Sequence, residues 1–188
     1  MKKVKFNMRY GQFEAVLNEN KKQFRLVEKS LINYLESHYP KQKVVGVEPL
    51  GAGDGLFRVM LDIGISFDYK PKYQIGEVLE VIGSRGRVKI KITGIEIQRL
   101  CNANAKEVIN EGFFKLDVDG HRQYCYFDKE ENILYYYRSH HQCFISHLYR
   151  TMDQDVVLNN PYSVVYQFEL LPSVVSTDNS QQTTVDRP

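Results

Sequence analysis

The stretch from Lys70 to Phe113 most constrains how this chain can fold, because it carries the period of two β-strands joined by a tight turn. An apolar run at Val78–Ile82 predicts the first strand, and apolar residues then alternate with polar ones through Val88–Thr93, as in a half-buried second strand. At Gly94 the apolar positions change parity, which predicts a β-bulge where the strand bends. Bent strands of this kind favour a small barrel over a flat sheet.

A short helix with a defined start and end follows this hairpin. Asn104 and Glu107 have the spacing of a capping box, in which each side chain accepts a hydrogen bond from the other residue's backbone. Gly112 is a suitable residue to end the helix. The helix would therefore place the carboxylate of Glu111 at the mouth of the predicted barrel.

The remaining patterns predict further short helices and strands, and hence the α+β class. Helices are expected at Tyr10–Asn18 and Ser30–Ser37, where apolar residues recur at helical spacing. Strands are expected at Lys43–Val47, Phe57–Leu61 and Arg122–Phe127.

Length and composition are those of one globular domain. The chain has 188 residues, and we divide it into a single domain over 1–172 and a polar tail over 173–188 that is expected to be disordered. No stretch approaches the roughly 18 apolar residues of a membrane span, so no membrane partner is expected. The three widely spaced cysteines argue against a disulfide framework and predict a cytoplasmic location.

The formal net charge of +2 does not by itself indicate a nucleic-acid partner, but the charge is unevenly distributed. The first 29 residues carry eight Lys or Arg against three Glu, and Arg85, Lys89 and Lys91 form a second basic group around the hairpin. Local basic groups of this kind supply most of the non-specific affinity for phosphates. The same residues could equally be the solvated face of an ordinary strand and helix.

Histidine and cysteine are concentrated near His140, Cys143 and His147, whose spacing places them on one helical face. Three such ligands could hold zinc. The sequence lacks the tightly spaced Cys or His pairs of structural zinc sites, however, and the neighbouring aromatic residues favour a packed helix. We therefore predict neither a metal nor a cofactor. The rings of Tyr135–Tyr137, next to Arg138, would suit stacking on unpaired bases or packing in a core.

Several blocks occur in an order that points to a known family. The blocks are Phe13–Arg25, Tyr73–Val81, Ile90–Leu100, Asn104–Phe113 and Asn159–Leu170. In this order they resemble the ASCH domain of small bacterial and phage proteins, a member of the PUA-like superfamily. The resemblance implies a PUA-like small β-barrel, or pseudo-barrel, with flanking short helices.

The resemblance also implies a site. In the acetylcytidine amidohydrolases of this superfamily, a Lys, a Thr three residues later and a distant Glu form the catalytic set. Lys21 and Glu111 fall on the Lys and Glu positions, whereas Phe24 falls on the Thr position. Because Phe cannot act as a nucleophile, Lys21 and Glu111 suit a ligand anchor better than amide hydrolysis. Lys22 replaces a further frequent Thr, and Arg25 ends the basic segment.

The function expected from these observations is recognition of RNA or a modified nucleoside in a cleft between the Lys21–Arg25 segment and the end of the Glu111 helix. The expected binding residues are Lys21, Lys22, Arg25, Glu111, Arg85, Lys89 and Lys91, of which Lys21 and Glu111 are also the catalytic candidates. Two alternatives remain open. One is an ASCH-type hydrolase, an amidohydrolase or ribonuclease, that acts on a nucleoside or RNA. The other is a phage accessory or anti-defence protein that binds a host protein.

Overall fold

Strands predominate in the computed structural model, which describes residues 1–6, 8–51, 55–83 and 86–172. Short helices accompany the strands, so the chain belongs to the mixed α+β class. Arg85 and the tail over 173–188, which was expected to be disordered, lie outside the described residues. No helix in the described ranges is long and apolar enough to cross a lipid bilayer.

The elements are short and follow one another closely along the chain. The strands are β1 (Lys3–Lys5), β2 (Gln23–Leu26), β3 (Val44–Pro49), β4 (Phe57–Leu61), β5 (Ser66–Tyr69), β6 (Val78–Gly83), β7 (Gly86–Arg99), β8 (Phe114–Val118), β9 (His121–Asp128), β10 (Ile133–Tyr137) and β11 (Tyr162–Leu170). The helices are α1 (Gln12–Leu17), α2 (Lys29–His38), α3 (Ala105–Asn110), α4 (His140–Thr151) and α5 (Gln154–Asn159). A 3₁₀ turn at Met8–Tyr10 precedes α1.

The main sheet has five strands in the order β1-β6-β7-β11-β2 and curls into a half-barrel. β1 runs parallel to β6, and the other neighbouring strands of this sheet are antiparallel. Where β7 pairs with β11, Gly94 lies opposite Gln167 and Ile92 lies opposite Phe168, so Thr93 is the extra residue of a bulge. The β-bulge that the change of apolar parity predicted at Gly94 is thereby confirmed next to that residue.

Two three-stranded antiparallel sheets complete the strand architecture. One has the order β3-β4-β5 and the other the order β10-β9-β8. Asp119 and Gly120 turn the chain between β8 and β9, and both have the positive φ that a tight two-residue hairpin turn requires.

The helix boundaries follow local capping more closely than apolar spacing. The capping box of α3 is confirmed, because the Asn104 side chain accepts from the backbone N–H of Lys106 and of Glu107, and the Glu107 carboxylate accepts from the Asn104 N–H at 3.0 Å. The helix predicted from Tyr10 instead begins at Gln12, since Gly11 before it has a left-handed φ of 64°. The sequence patterns did not predict β5 or α5.

Buried apolar residues form two clusters. The first fills the half-barrel and includes Phe6, Phe24, Leu79, Ile90, Ile92 and Tyr166. The second brings residues of α3, α4 and α5 together with β9 and includes Val108, Phe113, Tyr126, Cys143, Phe144 and Val157. The three cysteines are free and buried.

Gly112, just after α3, lets the chain pass close to α1. Its φ is +100°, and a Cβ built there would lie 3.2 Å from the Cβ of Ala15 and 3.4 Å from the Cβ of Lys21. Both the backbone conformation and the close approach therefore require glycine.

We expect Gly112→Ala to lower the free energy of unfolding by about 2–3 kcal/mol, because alanine would add backbone strain and steric contact. Gly120→Ala is the matched control. Its φ is +74° but no heavy atom lies within 4 Å of the added Cβ, so its expected cost is only about 1 kcal/mol. Urea unfolding measures both values. Equal losses would show that the approach of Gly112 to Ala15 and Lys21 is not tight.

Candidate functional site

The structure places Lys21 beside Glu111, although 90 residues separate them in the sequence. Their backbones form an isolated antiparallel bridge, which the hydrogen bond from the Lys22 N–H to the Asn110 carbonyl supports at 2.7 Å. The Nζ of Lys21 donates to the carbonyl oxygen of Glu111 at 2.6 Å and lies 3.4 Å from its Oε2. Only 2% of Lys21 and 7% of Glu111 is exposed, so the pair is withdrawn from water.

β2 brings two further side chains to the Glu111 carboxylate. Arg25 donates through Nε to Oε1 at 2.9 Å, and Gln23 donates through Nε2 to the same oxygen at 3.2 Å. Arg25 also donates through Nη2 to Glu107 Oε2 at 3.1 Å, and its guanidinium carbon lies 5.3 Å from the ring centre of Phe144. We call Lys21, Gln23, Arg25, Glu107 and Glu111 the buried ion cluster.

The charges of the buried ion cluster compensate one another. Lys21 and Arg25 supply two positive charges, and Glu107 and Glu111 supply two negative charges. Burial lowers the pKa of Lys21 from its ordinary value, while the Glu111 carboxylate opposes that shift. The cluster is therefore a closed network of paired charges and not an open basic patch.

A cavity of about 230 Å³ adjoins the buried ion cluster. Aromatic rings from both hydrophobic clusters line it, namely Phe6, Phe24, Phe113 and Phe144. Its polar lining includes Lys21, Arg25, Glu111, Gln12, His147 and Thr151. The exposed Lys5 also borders it. The cavity thus lies where the two clusters meet and combines flat apolar walls with a few polar groups.

His147 is a second buried polar group at this cavity. Its Nε2 lies 3.4 Å from Gln12 Nε2, and its Nδ1 finds no hydrogen-bond partner among the described residues. The rings of Tyr10 and Phe113 pack edge-on against the imidazole, with centroids 4.7 and 5.0 Å away. Burial and, to a lesser extent, the charge of Lys21 lower the pKa of His147 to about 3. The imidazole is therefore neutral at physiological pH.

The other residues of the histidine and cysteine group lie elsewhere. Cys143 is fully buried in the second cluster, and the His140 ring lies 5.7 Å from that of Tyr124. Within the described residues, no three His, Cys, Asp or Glu side chains are positioned to hold a metal ion. The spacing of His147 indicated either a zinc ligand or part of a packed helix, and helical spacing does not reveal that Gln12 lies beside it.

Phe24, which falls on the family's Thr position, packs into the aromatic interior of the half-barrel. Its ring centroid lies 5.2 Å from that of Tyr166, 5.5 Å from that of Phe6 and 6.0 Å from that of Tyr73. The alternation of β2 directs Phe24 to the face opposite Arg25. The position therefore supplies a core contact and no nucleophile.

The structure does not bring Lys22, Lys89 or Lys91 into the buried ion cluster. Lys89 and Lys91 are exposed on the face of β7 opposite the buried Ile90, and Lys91 Nζ lies 3.5 Å from Glu169 Oε1. Lys22 is exposed and lines a separate cavity. Of the predicted binding residues, those that the structure brings together are Lys21, Arg25 and Glu111.

Sequence reasoning missed two members of the buried ion cluster. Glu107 was interpreted only as a capping residue, yet its Oε2 accepts from both the Asn104 N–H and Arg25. Gln23 was not considered, although its position two residues before Arg25 places both side chains on one face of a strand. The two-residue period of a β-strand is therefore the sequence signal that could have identified Gln23.

Comparisons with protein-family models, with curated proteins and with solved structures gave no match. The resemblance to the ASCH domain therefore remains a prediction from sequence motifs.

Lys21→Met is expected to lower the free energy of unfolding by about 3 kcal/mol, because it removes one partner of a buried ion pair. The matched control is Lys22→Met, at an exposed neighbouring position, which should change stability by less than about 0.5 kcal/mol. Urea unfolding monitored by circular dichroism compares the two variants. Similar stabilities of both variants would contradict the paired, buried state of Lys21.

The neutral state of His147 predicts a loss of stability in acid. Its pKa in the folded protein, about 3, lies below the ordinary value of 6.5, so between these values the unfolded state binds more protons. The contribution of His147 to the free energy of unfolding is therefore complete above pH 6.5 and decreases as the pH is lowered. From pH 7 to pH 5 the loss should be about 2 kcal/mol.

Urea unfolding over a pH series tests this expectation. His147→Gln should flatten the pH dependence between pH 7 and 5, because glutamine takes up no proton. His140→Gln makes the same substitution on the same helix outside the cavity and is the matched control. The same slope in wild type and His147→Gln would contradict a buried, neutral imidazole.

Proposed function

We propose that this protein binds a single base of RNA, or a modified nucleoside, in the cavity beside the buried ion cluster. The observation that carries the proposal is the cavity lining, in which aromatic rings surround a carboxylate held in place by three donors, Lys21, Gln23 and Arg25. Ring stacking and a few fixed polar groups are the elements by which proteins recognise unpaired bases.

The size of the cavity favours one ring system over a longer segment. A cavity of roughly 150 Å³ accommodates benzene, and drug-sized ligands need about 300 Å³ or more. At about 230 Å³, this cavity falls between those limits. A base would fit inside it while the sugar and phosphate remain outside.

The charge balance favours a base over a phosphate inside the cavity. An anion that approached Lys21 and Arg25 would also meet the carboxylates of Glu107 and Glu111, which already neutralise them. Glu111 Oε2 has one contact among the described residues, with Lys21 at 3.4 Å, so it can accept a further hydrogen bond from a base amine. Lys21 and Arg25 therefore position this acceptor, and a phosphate would lie outside, near Lys5.

The architecture of the main sheet supports the proposal that the fold is PUA-like. The half-barrel sheet and the pairing of Lys21 with Glu111 correspond to features that the ASCH resemblance implies. On this proposal, the cavity is the ligand cleft of an ASCH-type pseudo-barrel.

Hydrolysis of an acylated base is the second candidate, because the Lys21–Glu111 pair of the amidohydrolases is present. Two observations weigh against it. Phe24 supplies no hydroxyl, and the hydroxyl of Thr151, which also lines the cavity, donates to the carbonyl oxygen of His147 at 2.9 Å. Release of cytidine from acetylcytidine by the purified protein, abolished by Glu111→Gln, would replace the binding proposal with the enzyme.

Binding of a short single-stranded RNA and of free nucleosides, measured by calorimetry, tests the proposal. Thr151→Phe should weaken binding at least about tenfold, because the added ring fills the cavity without breaking the buried ion cluster. The control is the double variant Lys89→Ala with Lys91→Ala, which lies on the outer face of β7 and should change affinity at physiological salt by less than about threefold.

Two results would contradict the proposal. One is the absence of binding by the wild-type protein to RNA and to nucleosides at low salt. The other is the reverse pattern, in which Thr151→Phe binds normally and the double variant does not, since that would place the binding surface on the outer face of the sheet.

A further inference from the structure

Gln12 and His147 form a polar pair at the cavity that the buried ion cluster does not use. Gln12 is the first residue of α1, and His147 lies on α4, so the two helices bring the side chains together. Their nitrogen atoms lie 3.4 Å apart, and both residues line the cavity. His147 is 6% exposed, and its Nδ1 is buried without a partner in the described part of the chain.

An unpaired buried nitrogen is costly. Leaving a buried donor or acceptor unsatisfied costs about 1–3 kcal/mol, so native proteins rarely retain such a group without a reason. The surrounding rings of Tyr10, Phe113 and Tyr126 cannot replace the missing hydrogen bond, although they fix the orientation of the imidazole. Because Nδ1 itself has almost no accessible surface, the polar edge that this pair offers to a ligand in the cavity is the Gln12 amide, which the contact with His147 Nε2 orients.

We propose that Gln12 and His147 recognise one polar edge of an uncharged heteroaromatic ring, whose other edge donates to Glu111 Oε2. This inference rests on the proposed function, and it narrows the ligand to a neutral ring that hydrogen-bonds on two edges. The pair is a specificity-determining group for the base and takes part in no chemical step.

The protonation of the pair supports a neutral partner. In the described ranges, the groups with charge or titratable protons that face His147 include Lys21, Tyr10 and Tyr126, and the ammonium of Lys21 together with burial keeps the imidazole uncharged. A neutral imidazole carries one donor and one acceptor nitrogen. Since the Gln12 amide nitrogen only donates, His147 Nε2 accepts from it and Nδ1 carries the proton.

This arrangement makes the pair able to discriminate between rings. A site built to hydrogen-bond a ligand rejects an analogue that lacks the matching group, because the buried polar atoms of the site would then stay unpaired. Inside the cavity an anion meets no net positive charge, because His147 is neutral and the buried ion cluster is compensated, and the attraction of the exposed Lys5 at its border is screened by salt. A nucleoside and its 5′-monophosphate should therefore bind with affinities within about threefold of each other at physiological salt.

Calorimetric titration with cytidine, uridine, adenosine and guanosine tests the inference. For whichever nucleoside the wild type binds most tightly, His147→Phe and Gln12→Leu should each weaken binding at least about tenfold. His140→Phe is the matched control, because it makes the same change on the same helix outside the cavity, and its affinity should stay within about twofold of the wild-type value. In ¹⁵N spectra of histidine-labelled protein, the imidazole resonances of His147 should move on saturation with that nucleoside.

The outcomes separate the inference from the function on which it rests. If the wild type binds none of the four nucleosides and no RNA, the proposed function fails and the inference fails with it. If the wild type binds a nucleoside but Gln12→Leu keeps full affinity and the His147 resonances do not move, the inference alone is wrong. Should His147→Phe fail to fold, Gln12→Leu and the spectra still decide.

Discussion

The buried ion pair between Lys21 and Glu111 is the interaction on which the rest of the site depends. It joins the chain just after α1 to the end of α3, and thereby holds the half-barrel against the second hydrophobic cluster. A cation this deeply buried is tolerated only when its partner is fixed. The capping box of α3, the glycine at position 112 and the donors on β2 all serve to fix Glu111.

The pairing of these buried charges also determines which kind of ligand the cavity can bind. Because the positive charges of Lys21 and Arg25 are used to hold carboxylates, the site offers a positioned acceptor in place of a phosphate-binding patch. The aromatic walls supply stacking surfaces, and Gln12 with His147 supply a neutral polar edge. The arrangement suits an uncharged planar ring, which is why we favour a base over the phosphate backbone as the group inside the cavity.

Local features of the fold could be predicted from the sequence, whereas most of the site could not. The hairpin of β6 and β7, the bulge at Thr93 in β7 and the capping box depend on neighbouring residues, and the residue pattern specified them. The proximity of Lys21 to Glu111 was expected only through the family resemblance, since no periodicity relates residues so far apart. The contact of Gln12 with His147 depends on how α1 and α4 pack, and no sequence spacing records that.

The basic residues are a second case in which sequence position alone did not reveal the environment of a side chain. Every lysine adds the same positive charge to a local count, but burial divides the lysines into an enclosed group and an exposed group. Lys21 is enclosed and paired, while Lys22, its neighbour, is exposed. Lys89 and Lys91 are exposed as well, on the outer face of β7, where strand alternation alone could have placed them.

Photo-crosslinking would show whether a base enters the cavity beside the buried ion cluster. The full-length protein would be irradiated with a short RNA that carries one photoreactive base, and the crosslinked peptides identified by mass spectrometry. We expect crosslinks to the aromatic residues of the cavity, Phe6, Phe113 or Phe144, and we expect excess unmodified nucleoside to suppress them. Crosslinks confined to the outer face of β7, around Lys89 and Lys91, would contradict this expectation.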